Sequence, residues 1–148
     1  MAHQPDPHRL ELANYPFQWV IDTAFGDMDV AGHINNVALS RYYETGRCRW
    51  LIALTGNPEV FKSGLNTIVA QYTVRFLGEV NFPDQVMVGT GIGRIGNSSF
   101  SSQQALFVNG QCVGLSDAAM VLTDDGKPTR INDELRQKIE KFQILSPQ

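Results

Sequence analysis

Cysteine is scarce in this sequence. There are two in 148 residues, Cys48 and Cys112, far apart and in no CxxC pair. That excludes a disulfide framework and makes a reducing cytoplasm the expected compartment. Histidine is scarce as well: three, none at metal-ligand spacing, so no metal site is expected. No apolar run is long enough to cross a bilayer, so no membrane partner is expected. The opening residues, MAHQPDPHRLELANYP, lack the basic start and apolar block of a signal peptide. Positive charge is not in excess. Lys and Arg number 12 against 15 Asp and Glu, a net charge of −3, which argues against a nucleic-acid partner. Repeats, low-complexity tracts and internal linkers are also missing. What is present is a chain with 43% hydrophobic residues, enough for one core. The expected organisation is a flexible polar leader over 1–15 and a single domain over 16–148.

Hydrophobic periodicity then orders the elements. Phe17, Trp19, Ile21 and Phe25 alternate with polar or small residues, with Val20 breaking the pattern, and predict a first strand. From Val37 to Leu54 there is no proline and one glycine. Leu39, Tyr43, Gly46, Trp50 and Ala53 share one helical face there. Four β-rich runs follow: LNTIVAQYTVRFLGEV, QVMVGTGIGRI, SSFSSQQALFV and QCVGLSDAAMVLT. Asn109-Gly110 between the last two is a two-residue hairpin signal. NDELRQKIEKF closes the chain as a short amphipathic helix with Asn132 as N-cap. One long helix and a run of hairpins imply an α+β fold with one antiparallel sheet covering the helix.

Between the first strand and the long helix stands GDMDVAGHINN, residues 26–36. Asp, Asn and Gly are the common turn residues, and Asn35 fits a helix N-cap, so a structural loop accounts for the composition by itself. The surroundings say more. A strand ending in FGDMDVAGHINN and running into VALSRYYETGR resembles the hotdog-fold acyl-CoA thioesterases of the 4-hydroxybenzoyl-CoA thioesterase type. DDGKPTRINDELRQKI and GRIGNSSF are similar to that family's closing turn and helix and to one of its hairpins. Ala38 departs from the pattern, since relatives commonly carry a bulkier residue there. The resemblance implies a hotdog fold: a five-stranded antiparallel sheet wrapped around one long helix, plus a short C-terminal helix.

The resemblance also implies an activity, hydrolysis of an acyl-CoA thioester to free acid and CoA with no cofactor. It places the catalytic carboxylate at Asp29 and a helix-start N–H donor at Asn36, with His33 and Asn35 lining or orienting the site. Asp27 reads as structural. Glu44 is a second acid to weigh, because some hotdog thioesterases use a helical glutamate as base. An ion pair with Arg41 or Arg47, three residues to either side, is the favoured reading of it. Ser98 and Ser99 are candidate substrate contacts. The chemistry agrees with the residues. Thioester hydrolysis needs an activated water or a nucleophile, and donors for the growing oxyanion. The first N–H groups of a helix lack internal partners and sit at its positive end. The alternatives are an acyl-carrier-protein thioesterase and a non-catalytic acyl-CoA-binding module. The family likeness further implies a homodimer or homotetramer.

Two motifs are set aside. GIGRIG, residues 91–96, spells G-x-G-x-x-G but is followed by strand residues rather than a helix, so it is not a dinucleotide loop. Cys112 reads as packing. Gly89, Gly91 and Gly93 strip one face of their strand. The expectation is that the long helix packs closely against that bare face.

Overall fold

The computed structural model describes residues 3–62 and 66–144. Strand β1 (Phe17–Asp22) leads through a 3₁₀ turn at Phe25–Asp27 to helix α1 (Asn36–Thr55). Four long strands follow: β2 (Asn66–Phe76), β3 (Gln85–Ile95), β4 (Ser99–Val108) and β5 (Gln111–Asp124). A two-residue strand β6 (Lys127–Pro128) and helix α2 (Asp133–Glu140) close the chain. The sheet runs β1-β3-β4-β5-β2, with every pair antiparallel and β6 added to β5. This is the hotdog arrangement: five strands curl around the long helix.

Local chemistry sets the joints. Asn35 caps α1, its side chain accepting from the Ala38 N–H at 2.8 Å. Gly56, left-handed at φ 66°, ends the helix. Asn109 and Gly110 both have positive φ and turn β4 into β5, with Val108 opposite Gln111, as the Asn-Gly pair predicts.

The face of α1 that meets the sheet carries Leu39, Tyr43, Gly46 and Trp50, all buried. Ala53 is exposed, and Leu54 takes the last contact instead. A 3.6-residue repeat counted from Trp50 falls nearer to 54 than to 53. At Gly46 the helix comes closest to the sheet. A Cβ there would stand 2.6 Å from Val88 Cγ1 and 2.9 Å from Gln104 Nε2. Val86, Val88, Thr90 and Ile92 of β3 point at the helix and are fully buried. Each such aliphatic side chain stabilises the fold by about 1.5–3 kcal/mol. Gln104 is buried with them, its amide donating to the Tyr43 carbonyl and to Thr90 Oγ1, both at 3.0 Å.

Two expectations are corrected. The bare glycine face of β3 turns away from α1. A Cβ on Gly89 would meet the Tyr15 ring at 2.7 Å, and one on Gly91 would meet Ile144 and Pro16. Val88, Thr90 and Ile92 take the helix side, and alternation sends the glycines outward. The chain ends cover Gly89 and Gly91, while Ser101 and Gln103 of β4 lie against Gly93. Residues 7–15 accordingly do not behave as a loose leader. Pro7–Leu10 and Leu12–Asn14 form two 3₁₀ turns on the outer face of the sheet. Tyr15 is buried there with Ala105, Phe107 and Leu115. The anchor is Arg9. Its guanidinium donates to Tyr15 Oη at 3.0 Å, Asp117 Oδ1 at 2.9 Å and the carbonyls of Gln104 and Ser116.

Candidate active site

The polar stretch folds as a tight loop on the approach to α1. Met28 and Ile34 form an isolated bridge, and the Asp29 N–H donates to the His33 carbonyl at 2.8 Å. Gly32 closes the tip at φ 85°. Asp29 is exposed. Its Oδ1 accepts from the Ala31 N–H at 2.9 Å and, more weakly, from the His33 N–H at 3.4 Å. Among the described residues Oδ2 has no hydrogen-bond partner. One carboxylate oxygen therefore shapes the loop and the other is free.

The neighbours are fully occupied. Asp27 accepts from Arg41 at 2.7 Å and from the Tyr42 hydroxyl at 3.2 Å, so the first aspartate ties the loop to the helix. Burial, then the Asp27 charge, pushes the Tyr42 hydroxyl up to about 12, which keeps it a donor. Asn35 spends its oxygen on the Ala38 N–H and its amide on the Asp27 carbonyl at 2.7 Å. His33 faces the β2–β3 connection, with Nδ1 2.9 Å from Asn81 Oδ1 and Nε2 3.3 Å from Glu79. Both contacts tie the loop to that connection. At the helix start, Asn35 satisfies the N–H groups of Ala38 and Leu39. Among the described residues those of Asn36 and Val37 have no partner. Both residues are exposed, at the positive end of a 20-residue helix.

Other candidates lie elsewhere. Ser98 and Ser99 sit at the β3–β4 turn, lining a depression with Arg94 and Ala119. The Asp29 loop adjoins the opposite end of β3, where Thr23 bonds Asp84. Eleven residues of strand, roughly 35 Å, separate the two ends. One chain does not bring these serines to Asp29. Glu44 forms no ion pair among the described residues. Arg41 is taken by Asp27, and Arg47 donates to Gln104 Oε1 at 3.2 Å while lying over the Tyr72 ring. The expected helix-face pair with Glu44 is therefore not made.

Glu44 stands at the mouth of a cavity of about 180 Å³ between α1 and the sheet. Arg47, Cys48, Trp50, Phe100, Ser102 and Met120 help line it. Sequence reading did not find this space, because its walls come from α1, β2, β4 and β5. The alternating buried residues of the strands were the available signal. A second groove, along Val37, Ser40, Glu44 and Val69, leads from the helix start toward the same mouth. Burial, and after it the Glu44 charge, pushes the Cys48 thiol up; burial does the same at Cys112. Neither is set up as a thiolate nucleophile. Among the described residues no cluster of His, Cys, Asp and Glu could hold a metal ion. Nor is any helix there long and apolar enough to cross a membrane.

The model of the thioesterase-like superfamily matches residues 23–139, from the end of β1 to α2. The chain belongs to the thioesterase-like superfamily. Comparison with curated proteins returns no match. Solved structures align with this chain over nearly their whole length. The PA5185 protein of Pseudomonas aeruginosa is 25% identical, with a TM-score of 0.84, over 93% of this chain and 99% of that one. A Thermus thermophilus thioesterase, complexed with coenzyme A and zinc, is 26% identical, with a TM-score of 0.79, over 87% and 95%. A predicted thioesterase from Bacillus stearothermophilus is also 26% identical, with a TM-score of 0.78, over 89% and 98%.

Proposed function

We propose that this superfamily member hydrolyses an acyl-CoA thioester to free acid and CoA, with Asp29 as base or nucleophile and the Asn36 N–H as oxyanion donor. The observation that carries the reading is the pairing of a free carboxylate oxygen on the loop with unpartnered N–H groups at the start of α1. As a base, Asp29 takes a proton from water while the hydroxide attacks the carbonyl carbon. The oxyanion accepts from the helix start, the C–S bond breaks, and the thiolate leaves to be protonated. As a nucleophile, Asp29 attacks the carbon itself, and water then cleaves the resulting anhydride. The 26% identical relative that binds coenzyme A supports CoA as the carrier.

We infer that a second chain completes the site. Asn36 and Cys48 lie on one helix, twelve residues and roughly 18 Å apart. An acyl group that fills the cavity is shorter than that. Within one chain, that distance separates the helix start from the cavity floor. A homodimer that presents the partner's loop to the Glu44 end of the cavity removes that separation. Strand β2 is an edge of the sheet with Ile68 and Val69 exposed, which suits such pairing.

The test is a thiol-release assay across acyl-CoA and acyl-carrier-protein thioesters, followed by a single turnover in H₂¹⁸O. Label in Asp29 after turnover identifies the nucleophile; label only in the product acid, with no anhydride trapped by hydroxylamine, identifies the base. Absence of turnover with every thioester, alongside measurable acyl-CoA binding, would replace the hydrolase with a binding module. Glu44 as base is the second reading, favoured by its unpaired place at the cavity mouth.

A further inference from the structure

Gln104 is an amide fully buried between α1 and the sheet. Its nitrogen donates to the Tyr43 carbonyl and to Thr90 Oγ1, and its oxygen accepts from Arg47 Nη1 at 3.2 Å. Buried amides need every partner in place. This one therefore holds the Arg47 side chain from inside the fold. The Tyr72 ring lies against the guanidinium, 5.4 Å from its carbon to the centroid. Two neutral groups thus fix Arg47, and it makes no ion pair among the described residues.

What these two groups leave over is specific. Gln104 takes Nη1 and Tyr72 takes one face. Nε and Nη2 have no hydrogen-bond partner among the described residues, and neither is sealed from solvent. Together they form one edge of the guanidinium, a fork that can hold a carboxylate through two parallel N–H···O bonds. Arg47 lines both the cavity and the groove that leads to its mouth. The other arginine of the groove, Arg41, is taken by Asp27. Glu44 stands at the same mouth with the opposite charge. It is exposed, so water and salt screen it, whereas Arg47 is half-buried and its field is screened less. A carboxylate at the mouth keeps one side in water and avoids the cost of full burial. Behind it lies a largely apolar space of about 180 Å³. An apolar cavity of about 150 Å³ takes a benzene ring.

We propose that the free Nε–Nη2 edge of Arg47 seats the carboxylate of a free monocarboxylic acid, whose apolar tail of roughly five to seven carbons lies in the cavity behind it. The seat stands on this geometry; that its ligand is the acid released by hydrolysis rests on the thioesterase reading above. A thioester is neutral and the acid is an anion, so Arg47 favours product over substrate. The acid stays at the mouth and competes with the next acyl group.

The experiment titrates hexanoate and its neutral isostere hexanamide into the protein by calorimetry at neutral pH. The wild-type protein should bind hexanoate about tenfold or more tighter than hexanamide. Arg47→Gln should bring the two affinities together by weakening hexanoate alone. Arg47→Lys keeps the charge and loses the fork, so part of the preference should remain; it also carries the comparison if Arg47→Gln does not fold. Glu44→Gln removes a like charge and should tighten hexanoate without changing hexanamide. Equal affinity for acid and amide, no binding of either, a preference that survives Arg47→Gln or one that Arg47→Lys keeps in full overturns the proposal. So does hexanoate affinity unmoved by Glu44→Gln, which would put the acid away from the mouth. With hexanoyl-CoA as substrate, hexanoate should inhibit competitively, and less so in Arg47→Gln. An acid preference without turnover of any thioester upholds the seat and sinks the hydrolase. Turnover without an acid preference sinks the seat and leaves the hydrolase standing.

Discussion

At the scale of single residues, two aspartates two positions apart have different partners. Asp27 holds Arg41 and Tyr42, while Asp29 keeps Oδ2 free. Asp29→Asn should lower kcat by about 10²–10⁴-fold with KM little changed, because the amide can still accept from the Ala31 N–H. Asp27→Asn should instead lower the melting temperature, by an amount worth about 1 kcal/mol, more than it lowers turnover of the folded protein. Hydrolysis at the parent rate by Asp29→Asn, together with a dead Glu44→Gln, would move the base to the helix. The thiols give an independent check. Burial keeps Cys48 protonated at neutral pH, so its alkylation by iodoacetamide at pH 7 should be slow and should rise as pH rises through the elevated thiol pKa. Rapid labelling at pH 7 would contradict that. The loop residues were legible in the sequence because turn chemistry and a helix cap act over a few positions. The cavity beside α1 was not, since residues as far apart as Glu44 and Met120 line it.

At the scale of elements, the long helix, the four later strands and the Asn-Gly hairpin could be read directly, because period and turn residues are local signals. The β3 glycines could be recognised as a bare face but not assigned a neighbour. Alternation says that Gly89 and Gly91 share a side; it does not say which side meets α1. The helix's close approach falls on its own glycine instead. Gly46→Ala would put a methyl group 2.6 Å from Val88 Cγ1. Overpacking of this kind costs about 1–3 kcal/mol, against which alanine's better helix preference returns about 0.5–1. A net loss of stability is expected in denaturant unfolding. If Gly46→Ala is as stable as the parent, the helix has slack that the packing does not suggest.

At the scale of the whole molecule, the proposed site is completed by a second copy, so activity and assembly should rise and fall together. Light scattering at micromolar concentration should give at least a dimer. Ile68→Asp on the exposed edge of β2, away from the cavity lining, should weaken both the dimer and hydrolysis. A monomer with full activity would sink the two-chain site. The strap of residues 7–15 has a practical consequence for anyone preparing this protein. A boundary drawn from family resemblance, at residue 16 or at the matched 23–139, follows ancestry rather than the folding unit. Expressed from residue 16, the chain would lose Arg9 and Tyr15 and leave Ala105, Phe107 and Leu115 open on the outer face of the sheet. Such a fragment should be recovered in poorer yield and elute partly as aggregate in size-exclusion chromatography, while the chain that keeps its first fifteen residues should not.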